Sequence, residues 1–173
     1  MKKSGFTLIE MMIAIAIFAI ISLFLYQTYN SFHRSGKQLQ HQSDMIVRFE
    51  KIKKVLYLDF ALSLDKNATI INQERDEDTV ILHTSNSLHK RINPYVAYVL
   101  KQQHLYRLEG LKKFIYPFDA DTAADVEDFG EVTRFRVFSA LKKDNNNTQA
   151  LYLLDARFKN MGNVLYKVHV LNQ

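Results

Sequence analysis

The stretch from Phe6 to Tyr26, FTLIEMMIAIAIFAIISLFLY, most constrains what this chain can become. Its only clearly polar residues are Thr7, Glu10 and Ser22. As a helix it is roughly 30 Å long, enough to cross the hydrocarbon core of a bilayer. A carboxylate such as Glu10 inside a membrane segment costs about 2.5–3.5 kcal/mol or more at the helix centre, so it marks a functional site with a partner. Lys2 and Lys3 precede the run. The positive-inside bias then places the N-terminus in the cytoplasm and the rest of the chain on the far side.

An ordinary secretory signal ends its apolar run in a small-residue cleavage site. Here the run is followed by Gln27-Thr28-Tyr29-Asn30, and the small residue, Gly5, precedes it. Cutting at Gly5 removes only the charged leader and leaves the apolar helix on the mature chain. The sequence Gly5-Phe6-Thr7-Leu8-Ile9-Glu10 resembles the G-F-T-L-[IL]-E core of the type IV prepilin signal. That resemblance implies cleavage between Gly5 and Phe6 by an inner-membrane prepilin peptidase, and methylation of the new Phe6 amine. It also implies that Glu10 pairs with the N-terminal ammonium of a neighbouring subunit, which is the partner that a membrane carboxylate requires.

The 173 residues leave room for one domain behind such an anchor. Loss of Lys2 and Lys3 with the leader lowers the formal charge from +5 to +3. With no cysteine, the chain has no disulfide, zinc-thiolate site or thiol nucleophile.

Beyond the anchor, apolar residues recur at Tyr29, Phe32, Leu39, Ile46, Phe49, Ile52, Leu56 and Phe60, at helical spacings. The first proline is Pro94. The pattern predicts one helix over about 6–58, roughly 80 Å long, with its first half in lipid or a fibre core and its second half on a globular domain. Gly36 is a weak point, because glycine costs about 1 kcal/mol relative to alanine in a helix interior. His33 to Asp59 carries six Lys/Arg against three Asp/Glu. The excess reads as a solvated helix face in preference to headgroup or nucleic-acid contact.

After residue 60 the pattern alternates. Ala68–Asn72 and Thr79–Ser85 form one predicted hairpin, and Tyr95–Lys101 with His104–Leu108 a second around Gln102-Gln103. Val132–Ala140, Ala150–Phe158 and Val164–Leu171 complete a sheet of five to seven strands, the last two joined by the turn signal Asn160-Met161-Gly162-Asn163. The expected fold class is α+β and pilin-like, a long helix on a mostly antiparallel sheet. The expected organisation is a leader (1–5), a transmembrane or fibre-core helix (6–26), an amphipathic helix (27–58) and a periplasmic β-rich domain (59–173).

Two short phrases, Phe18-Ala19-Ile20-Ile21-Ser22-Leu23-Phe24-Leu25-Tyr26-Gln27 and Tyr95–Leu100 with Leu105-Tyr106-Arg107-Leu108, are similar to J-type pseudopilins of type II secretion. The resemblance implies a minor pseudopilin of the inner membrane, with other pilin-like subunits, the prepilin peptidase and an assembly platform as partners. The alternative is a minor type IV pilin, including a competence pilin that touches DNA; a charge of +3 does not favour nucleic acid.

The acidic run around Asp119, Asp121 and Asp125 raises calcium as a ligand. It fails the EF-hand pattern, with Ala124 sixth and Gly130 twelfth from Asp119, so the expectation is a solvated acidic loop and no cofactor. Asn67 and Asn146 each open an N-x-[ST] triplet with aspartate two residues upstream, the longer acceptor pattern of bacterial oligosaccharyltransferases. The six histidines lack metal-ligand spacing, Ser85 and Ser87 lie outside a nucleophile elbow, and the five glycines form no phosphate loop. No catalysis is expected.

Overall fold

The structure is a computed structural model that describes residues 7–65, 67–71, 77–118, 124–144 and 147–171, with backbone alone for 141–144 and 147–149. One helix, α1 (Leu8–Ala61), is followed by β1 (Thr69–Ile71), β2 (Thr79–His83), β3 (Tyr95–Lys101), β4 (His104–Gly110), β5 (Asp125–Asp144), β6 (Asn147–Phe158) and β7 (Gly162–His169). The strands hydrogen-bond in chain order, each antiparallel to the next. The α+β, pilin-like class read from the sequence is borne out, and α1 runs unbroken through Gly36.

The chain divides into two compact units, Met1–Ile46 and Val47–Gln173. In the first, none of residues 8–46 is buried. The apolar stripe therefore has two fates. Tyr29, Phe32, Leu39 and Ile46 stay exposed, whereas Ile52, Leu56 and Phe60 are buried. Within the second unit, the end of α1 packs on the sheet through Phe49, Ile52, Leu56 and Phe60.

In the second unit the core follows from strand alternation. Val80 and Leu82 of β2 face Tyr98 and Val96 of β3, and all four join Ile52, Leu56 and Phe60 in one cluster. Phe135 and Val137 of β5, Tyr152, Leu154 and Ala156 of β6, and Val164 and Val168 of β7 complete it. The opposite face of β2 and β3 carries a small second cluster, Ile81 and Ala97 covered by Phe114 from the β4–β5 connection.

β5 is the pivot of the sheet. Its first part pairs with β4 and its second, from Val132, with β6. Gly130, at φ +107°, lies where the partner changes, and register shifts flank it at Leu105/Tyr106 and Val132/Arg134. Such irregularities bend a strand and increase its twist. The acidic stretch read as a loop is corrected here: Asp125, Glu127 and Asp128 are residues of β5. Alternation there is masked because Asp125-Val126-Glu127-Asp128 places charges on both faces.

Candidate functional site

Gly5 and Phe6, the expected processing junction, lie outside the described residues. Thr7 stands immediately before α1, at its N-cap, and Glu10 is the third helical residue. The Thr7 N–H and Oγ1–H each donate to Glu10 Oε2 at 2.8 Å. In return, the Glu10 N–H donates to the Thr7 carbonyl at 3.1 Å. A glutamate three residues after the cap thus satisfies an amide that a helix start leaves without an intrahelical partner.

Around Glu10 the surface is apolar and open. Leu8 is 81% exposed, Phe18 71% and Phe24 67%. Each such side chain is worth roughly 1.5–3 kcal/mol when fully withdrawn from water. Over this run the sum is on the order of tens of kcal/mol, more than the whole stability of a domain. The helix cannot remain in water with this face bare. It is also the one helix among the described residues long and apolar enough to cross a membrane.

The second unit holds a buried ionic network that sequence reasoning missed. Asp59 in the last turn of α1, and Arg107 and Glu109 of β4, are fully buried. Arg107 Nε donates to Asp59 Oδ2 at 2.8 Å, and its Nη1 donates to Glu109 Oε2 at 2.6 Å. Asp59 also accepts from the Tyr98 hydroxyl at 2.5 Å and from Asn86 Nδ2 at 2.7 Å. Glu109 accepts from Ser87 Oγ at 2.5 Å and the Leu88 amide at 3.0 Å. Burial alone would raise the Glu109 carboxyl, but the bonds from Ser87, Arg107 and Leu88, with Arg107's charge, hold it below its ordinary range. Burial, reinforced by the Asp59 charge, pushes the Tyr98 phenol well up, so it stays a donor. A carboxylate at a helix C-terminus is disfavoured by the macrodipole, and Arg107 offsets that. With its charged members buried, the network is a clamp joining the helix end, two strands and the half-buried β2–β3 connection. Its sequence signal was an acid at a stripe position beside Phe60, and Arg107 and Glu109 at the inward alternation of Leu105.

The other sequence candidates separate. Asp119, Asp121 and Asn146 lie outside the described residues. Asp125 is engaged by Arg91, whose Nη2 donates to Oδ2 at 2.5 Å. Among the described residues no group of three side chains is placed to hold a metal. His83, His89 and His104 each face a carboxylate, at Asp65, Glu127 and Asp128. Asn67 is exposed in the connection between α1 and β1.

A helix long and apolar enough to cross a membrane, followed by an antiparallel sheet, defines the class of protein: an α+β chain of pilin-like fold. Residues 1–26 match the family model of the prokaryotic N-terminal methylation motif. The first 26 residues thus carry a prepilin-type signal, as those of type IV pilin-like proteins do, and the fold behind it is of the α+β, pilin-like class. Comparison with curated proteins and with solved structures gave no match.

Proposed function

We propose that this chain is a minor pseudopilin of a type II secretion system, cleaved after Gly5, methylated at Phe6 and assembled into a short periplasmic fibre. The observation that carries assembly is the exposed apolar surface of the helix over residues 8–46, while the second unit has a core of its own. In the membrane that surface meets lipid; after extraction one side of it meets a different side of a neighbouring subunit's helix. Contacts of this head-to-tail kind do not close and so build filaments. Glu10, already at the helix start, exchanges its Thr7 contacts for the ammonium of an adjacent subunit. The positive leader supports a cytoplasmic N-terminus and a periplasmic sheet domain.

The type II assignment rests on the phrase around Phe18–Gln27, on the strand pair Tyr95–Leu108, and on the lack of the C-terminal disulfide that shaft pilins often carry. It is a scaffold role without catalysis. The test is deletion of the gene in its host, followed by proteomics of the medium and electron microscopy of the cell surface. The expected result is retention of exported proteins in the periplasm with surface pili intact. Loss of pili or of DNA uptake with secretion intact would move the chain to the minor type IV pilins.

A further inference from the structure

We propose that Asn67 is an acceptor for N-linked glycosylation by an oligosaccharyltransferase that reads an acidic residue two positions upstream; this rests on the periplasmic placement proposed above. The chain has two N-x-[ST] triplets, at Asn67 and Asn146, and both have aspartate at that upstream position. Acidic residues make up 18 of 173. Chance therefore supplies an acid at a given position about once in ten, and at both about once in a hundred, for triplets that are themselves acceptor patterns.

The structure presents the Asn67 triplet as such an enzyme needs it. The three residues that the pattern specifies, Asp65, Asn67 and Thr69, are all exposed. The Asp65 side chain retains 48% of its surface, with the imidazole of His83 at 3.5 Å and the Tyr152 hydroxyl group near enough to feel its charge. Its carboxylate is free to meet a cationic side chain of a transferase. Asn67 lies in the surface connection, pinned on both flanks: Ser63 Oγ donates to the Asp65 carbonyl at 3.2 Å, and the Ala68 N–H donates to the Tyr152 hydroxyl at 2.7 Å. Thr69 opens β1, a three-residue edge strand paired on one side only. Local opening of this short edge strand, which breaks the Ala68–Tyr152 bond and lifts Ala68 and Ile70 from the core, is the step that lets the triplet enter an enzyme cleft after folding.

The co-substrate is an oligosaccharide linked to a membrane lipid through pyrophosphate. The Asn67 amide nitrogen forms a bond to the anomeric carbon of the first sugar. The bond from that carbon to the pyrophosphate oxygen breaks, and the lipid pyrophosphate leaves with the bonding electrons. The amide gives up one proton to solvent, so atoms and charge balance without an oxidant or reductant.

The test is expression of the full chain, with a C-terminal tag of the same acceptor pattern, in a bacterium carrying the transferase and its lipid-linked donor. Glycopeptides are read by mass spectrometry. The expected result is glycan on both the tag and Asn67, with the Asn67 glycan lost in Asn67→Gln and Thr69→Ala, retained in Thr69→Ser and reduced to background in Asp65→Ala. Glycan on the tag with bare Asn67 overturns the acceptor assignment while leaving the topology intact. A bare tag together with bare Asn67 overturns the periplasmic placement and the acceptor assignment with it.

Discussion

Arg107 is the residue on which the second unit depends most. Removing it leaves Asp59 and Glu109 as two buried carboxylates facing each other across its empty place. Breaking a buried ion pair from one side costs about 3–5 kcal/mol. Arg107→Met should therefore lower the melting temperature of the detergent-solubilised chain by more than about 6 °C. Arg107→Lys should fall between, because it restores the charge but not the fork that reaches both partners. Glu109 adds a pH dependence. Its folded value lies below the ordinary 4.5. The stability it contributes is complete above 4.5 and is lost as pH falls through the folded value. Melting curves should be flat from pH 7 to pH 5.5 and drop below about 4.5, and Glu109→Gln should flatten that drop. Beyond the inward alternation of Leu105, Arg107 and Glu109, little of this was legible in the sequence, where Arg107 read as part of a strand phrase. A charged residue's burial is decided by which partners three separate segments bring to it, and one strand cannot show that.

At the scale of elements, glycine 130 and glycine 36 behave oppositely. Gly130, at φ +107°, sits where β5 changes partners, and an added Cβ would meet Met161 Cε at 3.1 Å. Gly130→Ala should destabilise the chain by about 1–3 kcal/mol, the cost of holding a side chain in a sparsely populated backbone region. Gly36, inside α1, has nothing within 4 Å of an added Cβ. Gly36→Ala should strengthen the helix by about 0.5–1 kcal/mol. Circular-dichroism melts of the two variants check both signs. The helix and the hairpins were readable because periods of 3.6 and 2 and the turn residues coincide with the elements. The Gln102-Gln103 turn falls between β3 and β4 as expected, with both residues at positive φ. The length of β5 was not readable, because its first four residues carry three acids that mask the alternation. They occur there because Arg91 and His104 engage Asp125 and Asp128 from neighbouring segments.

For the molecule as a whole, the long apolar helix with one acid near its start was legible at once, because such a run has few readings. Along the helix, buried residues begin within the second unit, at Ile52. The bare face of residues 8–46 and the position of Glu10 make assembly the central claim. Glu10→Leu should leave membrane insertion and cleavage unchanged. It should abolish cross-linking between subunits carrying single cysteines on the apolar helix face, a clean probe in a chain without native cysteine. The most direct measurement is mass spectrometry of the N-terminus from the wild-type chain and from Gly5→Ala, each expressed in the native membrane. A mature chain beginning at methylated Phe6, and an unprocessed chain in the variant, is the result expected. An intact Met1 terminus on the wild type in cells with an active prepilin peptidase would contradict the account and leave a signal-anchored domain.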